Sequence, residues 1–211
     1  MVVGRVAAAR ASAALCTLMV ALFGFGLQQW TDGFEVWTFE GRRQVDLDAG
    51  RLRAADAALI GSDGRALALW GGGPEVYLVD WIYTRCPGIC SALGSEFQRL
   101  QAELARAPGP VRLVSISFDV EHDRPAVLAR RAAELQADPA RWVFAVPASD
   151  TDAARLLRSL GVVVVPDGSG GYAHNGAIHL LDGAGRLRGL YGYAAWPRAL
   201  AAARRLAAGA H

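Results

Sequence analysis

The chain has 211 residues, enough for one ordinary domain plus an extension. Its 22 basic and 20 acidic residues leave a net charge of +2 and alternate along the sequence, without the basic patch that a nucleic-acid binder needs. Every basic residue is arginine, which excludes Schiff-base and phosphate-loop lysines; three cysteines are too few for a disulfide scaffold, and 53% hydrophobic residues point to a membrane segment.

That segment comes first. No charge occurs between Ala11 and Thr31, and about 20 apolar helical residues cover the roughly 30 Å of a bilayer core. Residues 11–30 are therefore predicted to form a transmembrane anchor, with a cleaved signal peptide as the competing reading. Arg5 and Arg10 precede it and Asp32 and Glu35 follow, so the positive-inside rule keeps residues 1–10 in the cytoplasm and puts the rest in the periplasm. Trp30 fits an interfacial position, and Cys16 reads as a small apolar residue within the span.

Residues 31–55 read as an approach segment in which Phe34, Val36 and Phe39 hint at a strand, and 51–58 as a short helix or an irregular lead-in. From residue 56 onward the pattern is regular. Turns are expected at Ser62-Asp63-Gly64 and at Gly71-Gly72-Gly73-Pro74. The apolar run Val76 to Tyr83 has the length and continuity of a strand buried on both faces. A helix follows over 90–106, with Leu93, Phe97, Leu100 and Leu104 at helical spacing. Val111 to Phe118 is a second strand, and 124–136 a second helix with Asp123 as its cap and Pro125 in its first turn. Strand 142–146, helix 150–160, the β-branched Val162 to Val165, a hairpin of 177–181 with 187–191, and a helix over 198–207 complete the chain. The order predicts an α/β fold: a mixed sheet with helices on both faces, compatible with a thioredoxin-like three-layer domain.

The chemistry is concentrated in Tyr83-Thr84-Arg85-Cys86-Pro87-Gly88-Ile89-Cys90, which leaves the buried strand and opens the first long helix. With Pro87 at the first helical position, Cys86 lies near the N-cap and Cys90 one turn on. Residues at i and i+4 share a helix face, so the sulfurs can converge on one ion or form a disulfide. Unpaired helix N–H groups favour the thiolate that either chemistry needs. Buried packing cysteines or a static disulfide are the plainer alternative, although so short a loop gains little chain entropy from a crosslink. Asp80 interrupts the strand six residues before Cys86. It is read either as a proton acceptor behind a cysteine or as a carboxylate hydrogen-bonded at the sheet edge.

Taken with SISFDVEHDRPAVL, ADPARWVFA and GYAHNGAIHLLDGAGRL, the YTRCPGIC segment resembles the SCO/SenC family in order and spacing, over about residues 56–207. The resemblance implies a membrane-tethered, thioredoxin-like copper chaperone that helps assemble the dinuclear copper centre of cytochrome c oxidase. Carried over residue by residue, it makes Cys86 and Cys90 the thiolate ligands and His174 the imidazole ligand. Two thiolates and an imidazole suit Cu(I), and can hold Cu(II) with an added ligand, whereas Zn(II) ordinarily takes four protein ligands. The implied partner is the copper-accepting oxidase subunit, with a periplasmic thioredoxin-like reductant or another copper carrier as further partners.

His179 is read as a polar residue on the far face of the strand, on the assumption that it shares one regular strand with His174. His122 is read as a solvated loop residue, and His211 as a terminal one. Gly88, Ser91 and Ala173 depart from the family pattern; Gly88 and Ala173 stand where acidic residues are common and reduce the negative charge beside the site, and Ser91 stands where a proline is common. Two alternative functions use the same cysteines. One is a thiol-disulfide oxidoreductase that reduces a partner's copper-ligand cysteines. The other is a peroxidase, for which the spacing of Thr84, Arg85 and Cys86 is wrong.

Overall fold

The computed structural model describes residues 2–31, 33, 36–86 and 89–209, with the side chains of 2–9, 11 and 89–93 left out. It divides into two compact units, residues 1–46 and 47–211.

In the first unit, helix α1 (Val2–Trp30) contains one stretch, Ser12–Trp30, that is long and apolar enough to cross a membrane, with none of it buried against the protein. Beyond Trp30 the Thr31 amide still donates to the Leu27 carbonyl at 2.8 Å. The strand hinted at around Phe39 is absent: Phe39–Asp48 forms helix α2. Val36 and Phe39 sit beside Glu, Gly and Arg rather than in an alternating pattern, so no strand face is defined there. Phe34 lies outside the described residues.

The second unit is organised by β3 (Val76–Ile82), whose seven residues are all buried. It lies within a seven-stranded sheet ordered β2-β1-β5-β4-β3-β8-β9. These strands are β1 (Leu59–Gly61), β2 (Ala66–Leu67), β4 (Val111–Ser117), β5 (Trp142–Pro147), β8 (Ile178–Leu181) and β9 (Leu187–Tyr191). The β3, β4 and β5 strands run parallel; β1 and β8 flank them in antiparallel orientation. The predicted mixed sheet with helices on both faces is therefore what forms.

Side-chain alternation in β3 separates the two apolar layers. Val76, Leu78 and Ile82 meet Phe97, Leu100 and Leu104 of α3 (Ile89–Arg106), Leu128 of α4 (Pro125–Glu134), and Ala199 and Leu200 of α6 (Trp196–Ala208). Tyr77, Val79 and Trp81 face the opposite layer, with Leu156 of α5 (Asp150–Ser159). In the first layer the Trp142 ring packs between Phe97 and Phe144, with centroids 5.6 and 5.0 Å away, and its indole N–H donates to the Ser115 hydroxyl at 2.9 Å. Truncating such a ring costs about 3–5 kcal/mol.

Within the β-branched run from Val162, β6 (Val164–Pro166) pairs with β7 (Tyr172–His174) as a separate antiparallel hairpin that the predicted order did not contain. Asp123, expected to cap α4, does not. The cap position is Arg124, without a side-chain bond, and the Asp123 carboxylate turns back toward β3 and β4.

Candidate metal and thiol site

The site forms at the carboxyl ends of the parallel strands β3 and β4, where the chain must turn out of the sheet. Beyond β3 the segment Tyr83 to Cys86 is held from three sides. The Cys86 amide donates to the Tyr83 carbonyl at 3.3 Å. The Thr84 amide donates to Asp123 Oδ2 at 2.8 Å, and the Thr84 hydroxyl donates to the other carboxylate oxygen. Ser117, the last residue of β4, donates its hydroxyl to the same Oδ2 at 2.5 Å. Asp123 is fully buried, so these bonds are what allow a carboxylate to remain there.

Arg85 points the other way. Its Nη2 lies 2.9 Å from Asp119 Oδ2, and His122 Nδ1 lies 2.8 Å from Asp119 Oδ1. Arg85 Nη2 also lies 3.1 Å from His122 Nδ1, but a guanidinium only donates. The shorter contact to the carboxylate therefore puts the proton on Nδ1. Burial pushes the Asp119 carboxyl up, but the bonds from His122 and Arg85 and their charge outweigh it and hold the group below its ordinary range. His122 is thus tied to the loop rather than merely solvated.

Cys86 is half-buried and packs against the aromatic layer that contains Tyr83 and Phe118. His174, the last residue of β7, comes to the same layer from the separate hairpin. Its ring is 5.3 Å from that of Phe118, and its Nδ1 is buried without a hydrogen-bond partner. Burial lowers its pKa, so the ring is held as the neutral imidazole, the form that ligates metals. Cys90 lies in the first turn of α3, and its side chain, with those of Pro87, Gly88 and Ser91, falls outside the described residues. So does His211. Ala173 lies on β7, one residue before His174.

Asp80 is not at a sheet edge. It lies in β3 between β4 and β8, buried on the face toward α3 and α4, and lines a cavity of about 10 Å³ with Thr84, Gly94, Ser115 and Arg131. Its Oδ1 has no hydrogen-bond partner, and burial raises its pKa to about 7 against the opposing bond from Ser115. His179 is fully buried, edge-on to Trp81, with Nδ1 2.9 Å from the Ala177 carbonyl. It and His174 do not share a strand, since residues 175–177 separate β7 from β8. His179 is a core histidine because all four residues of β8 are buried, with the strand lying between β3 and β9.

Tyr83, Phe118, Asp119 and Asp123 lie within the YTRCPGIC and SISFDVEHDRPAVL segments, but sequence reasoning gave none of them a role in the site. The spacing of the two acids, four residues apart just after a strand, was the available signal.

The SCO1/SenC family model matches residues 58–208. The chain belongs to the SCO1/SenC family. The SCO1 protein homolog of Bacillus subtilis (strain 168) is 29% identical over 127 residues, which is 59% of this chain and 66% of that protein's length. Among solved structures, BsSco, described as a member of the Sco family of cytochrome c oxidase assembly proteins with a disulfide switch, matches with TM-score 0.66 and 22% identity, over 75% of this chain and 95% of its own. Copper-bound ScoI of Bradyrhizobium japonicum matches with TM-score 0.58 and 22% identity, covering 73% and 99%. The fold of this SCO1/SenC chain is therefore thioredoxin-like, as expected, and relatives of the same fold have been solved with copper.

Proposed function

We propose that this SCO1/SenC protein is a copper metallochaperone in which Cys86, Cys90 and His174 hold the ion and pass it by ligand exchange to the dinuclear copper centre of cytochrome c oxidase. The observation that carries the reading is His174. Its imidazole is neutral, its buried Nδ1 lacks a protein partner, and it reaches the aromatic layer against which Cys86 packs. A nitrogen left bare in such a place is suited to a ligand, and one imidazole beside two thiolates is a donor set that favours copper. The named role of BsSco in cytochrome c oxidase assembly and the copper in its relatives support the same reading. Copper titration with EPR tests it: His174→Ala is expected to lower affinity at least about tenfold and to alter the Cu(II) signal, and unchanged binding overturns it.

The N-terminal helix is read as the anchor that places the domain on the periplasmic side of the inner membrane. Protease treatment of spheroplasts is expected to degrade the domain; protection overturns that orientation.

A specific observation favours a second activity of the same cysteines. Asp80, with a raised pKa and an unpartnered oxygen, lines a cavity beneath α3 together with Gly94, which lies one helical turn after Cys90. In a dithiol–disulfide exchange, one thiolate attacks a partner disulfide and releases a partner thiolate. The second cysteine then loses its proton to Asp80 and displaces the remaining partner sulfur, which leaves a Cys86–Cys90 disulfide and a reduced partner. Asp80→Asn is expected to slow reduction of a model disulfide peptide while leaving copper affinity unchanged. An unaltered rate removes Asp80 from this role.

A further inference from the structure

The hairpin β6–β7 carries His174 but forms no ladder with the main sheet, so something else must fix it relative to the Cys86 loop. Three attachments are present. At its base, the Asn175 side chain accepts from the Val163 amide at 2.7 Å and donates to the Gly161 carbonyl at 3.1 Å, which ties the hairpin ends to each other and to the end of α5. Rings provide the second: Phe118 touches Tyr172 and His174, with centroids 5.5 and 5.3 Å away.

The third is polar and reaches the cysteine loop. The Tyr83 hydroxyl accepts from the Tyr172 amide at 3.2 Å and donates to the Tyr172 carbonyl at 3.4 Å. One side chain thus takes both backbone groups of a strand residue, as a neighbouring strand would. Tyr83 stands three residues before Cys86 and receives the Cys86 amide on its carbonyl; Tyr172 stands two residues before His174. Alternation along β7 puts Tyr172 and His174 on the same face. The close approach also depends on Gly171, where a Cβ would come within 3.2 Å of the Tyr83 hydroxyl and collide with the Asp167 carboxylate at the hairpin tip.

We propose that Tyr83 is the positioning residue that joins the two halves of the ligand set, its hydroxyl setting where His174 stands relative to Cys86. The inference rests on the copper reading and adds to it a residue that touches no metal. Phenylalanine at this position keeps the ring contacts with Phe118 and Tyr172, whose centroids lie 5.4 and 5.3 Å away, and removes only the clamp.

The experiment uses the full chain in detergent, with Cu(I) affinity measured against a chromophoric chelator for wild type, Tyr83→Phe, His174→Ala and the double variant. Tyr83→Phe is expected to weaken copper binding about tenfold, the effect of removing a group that orients a ligand, and to have no further effect once His174 is gone. Equal losses in both backgrounds mean that the hydroxyl serves general stability and overturn the proposal, as does no loss in either. Amide hydrogen exchange of the metal-free protein separates this from the copper reading itself. Faster exchange at the Tyr172 amide in Tyr83→Phe with no copper effect of His174→Ala means that the clamp is real and the ligand assignment wrong. Unchanged exchange at Tyr172 overturns the clamp.

Discussion

The carboxylate of Asp123 holds Thr84 by both its amide and its hydroxyl, so the loop entering Cys86 is fastened to the turn that follows β4. The bond spans 39 residues of sequence. Ser117 completes the set from β4 itself. Among the described residues the cysteine loop has no ladder partner beyond Ile82, and the buried Asp123 carboxylate stands in for one.

Removing that carboxylate strands three donors in a dry place. Asp123→Ala is therefore expected to destabilise the fold by about 2–4 kcal/mol, since each unsatisfied buried group costs about 1–3 kcal/mol and some relax toward solvent. Thr84→Val removes one partner and costs less. Urea denaturation of both variants and their combination checks the pairing, with a coupling energy of at least about 0.5 kcal/mol expected for groups in contact. Additive losses contradict it.

Asp80 makes the stability of the protein depend on pH. Its carboxyl is raised from an ordinary 3.8 to about 7 by burial. Between these values the folded protein holds a proton that the unfolded chain has lost, so the contribution of Asp80 to stability is greatest below about pH 4, falls as the pH rises and levels off above about pH 7. The full cost over that window is up to about 4 kcal/mol, at 1.36 kcal/mol per pKa unit. Asp80→Asn is expected to abolish this decline and to be the more stable protein at pH 8, with little advantage at pH 4. Denaturation midpoints at the two pH values decide it; an equal difference at both rules out Asp80 as the source.

What the sequence disclosed and what it withheld divide along a physical line. Continuous burial of Val76 to Ile82, helical spacing through Leu104 and the turn at Asp182 are local patterns, and each became the expected element. The CxxxC segment at the opening of α3 was equally legible, because strand-to-helix junctions are written in neighbouring residues. Asp123 was not: as an acidic residue just before Pro125 it has the local signature of a cap, and only the tertiary approach of β3 offers it better donors. The β6–β7 hairpin was missed because its strands are three residues long and joined by a glycine-rich turn, too short for any period to show. His174 was singled out through family resemblance, and what holds it in place needed coordinates.

Arg85 and His122 shield Asp119 from protonation. Because their bonds keep its pKa below the ordinary value in the folded state, the stability they contribute is present at neutral pH and is lost as the pH falls through that lowered value. Arg85→Ala removes the guanidinium and leaves burial to act on the carboxyl. The acid-unfolding midpoint is then expected to move to higher pH, with a shift at least as large in His122→Ala, because the His122 bond lowers the carboxyl more than the Arg85 bond does. Circular dichroism across an acid titration measures both, and a midpoint that does not move in Arg85→Ala contradicts the assignment.

Gly176 lies where the site has no room for a side chain. A Cβ there would collide with the Tyr193 hydroxyl and stand 2.8 Å from Cε1 and 3.1 Å from Nδ1 of His174. The backbone at this glycine does not require a positive φ, so an alanine is excluded by space and not by conformation. Tyr193 is seated against the α3 and α6 layer, which leaves the His174 ring as the part that can yield. Gly176→Ala is therefore expected to cost about 1–3 kcal/mol of stability through overpacking and to weaken copper binding by displacing the imidazole. The two effects separate in a Gly176→Ala/His174→Ala double variant, in which the ring is gone. Copper affinity should then match that of His174→Ala alone, while part of the stability returns. A further loss of affinity in the double variant would mean that Gly176 acts on the cysteines and not through His174.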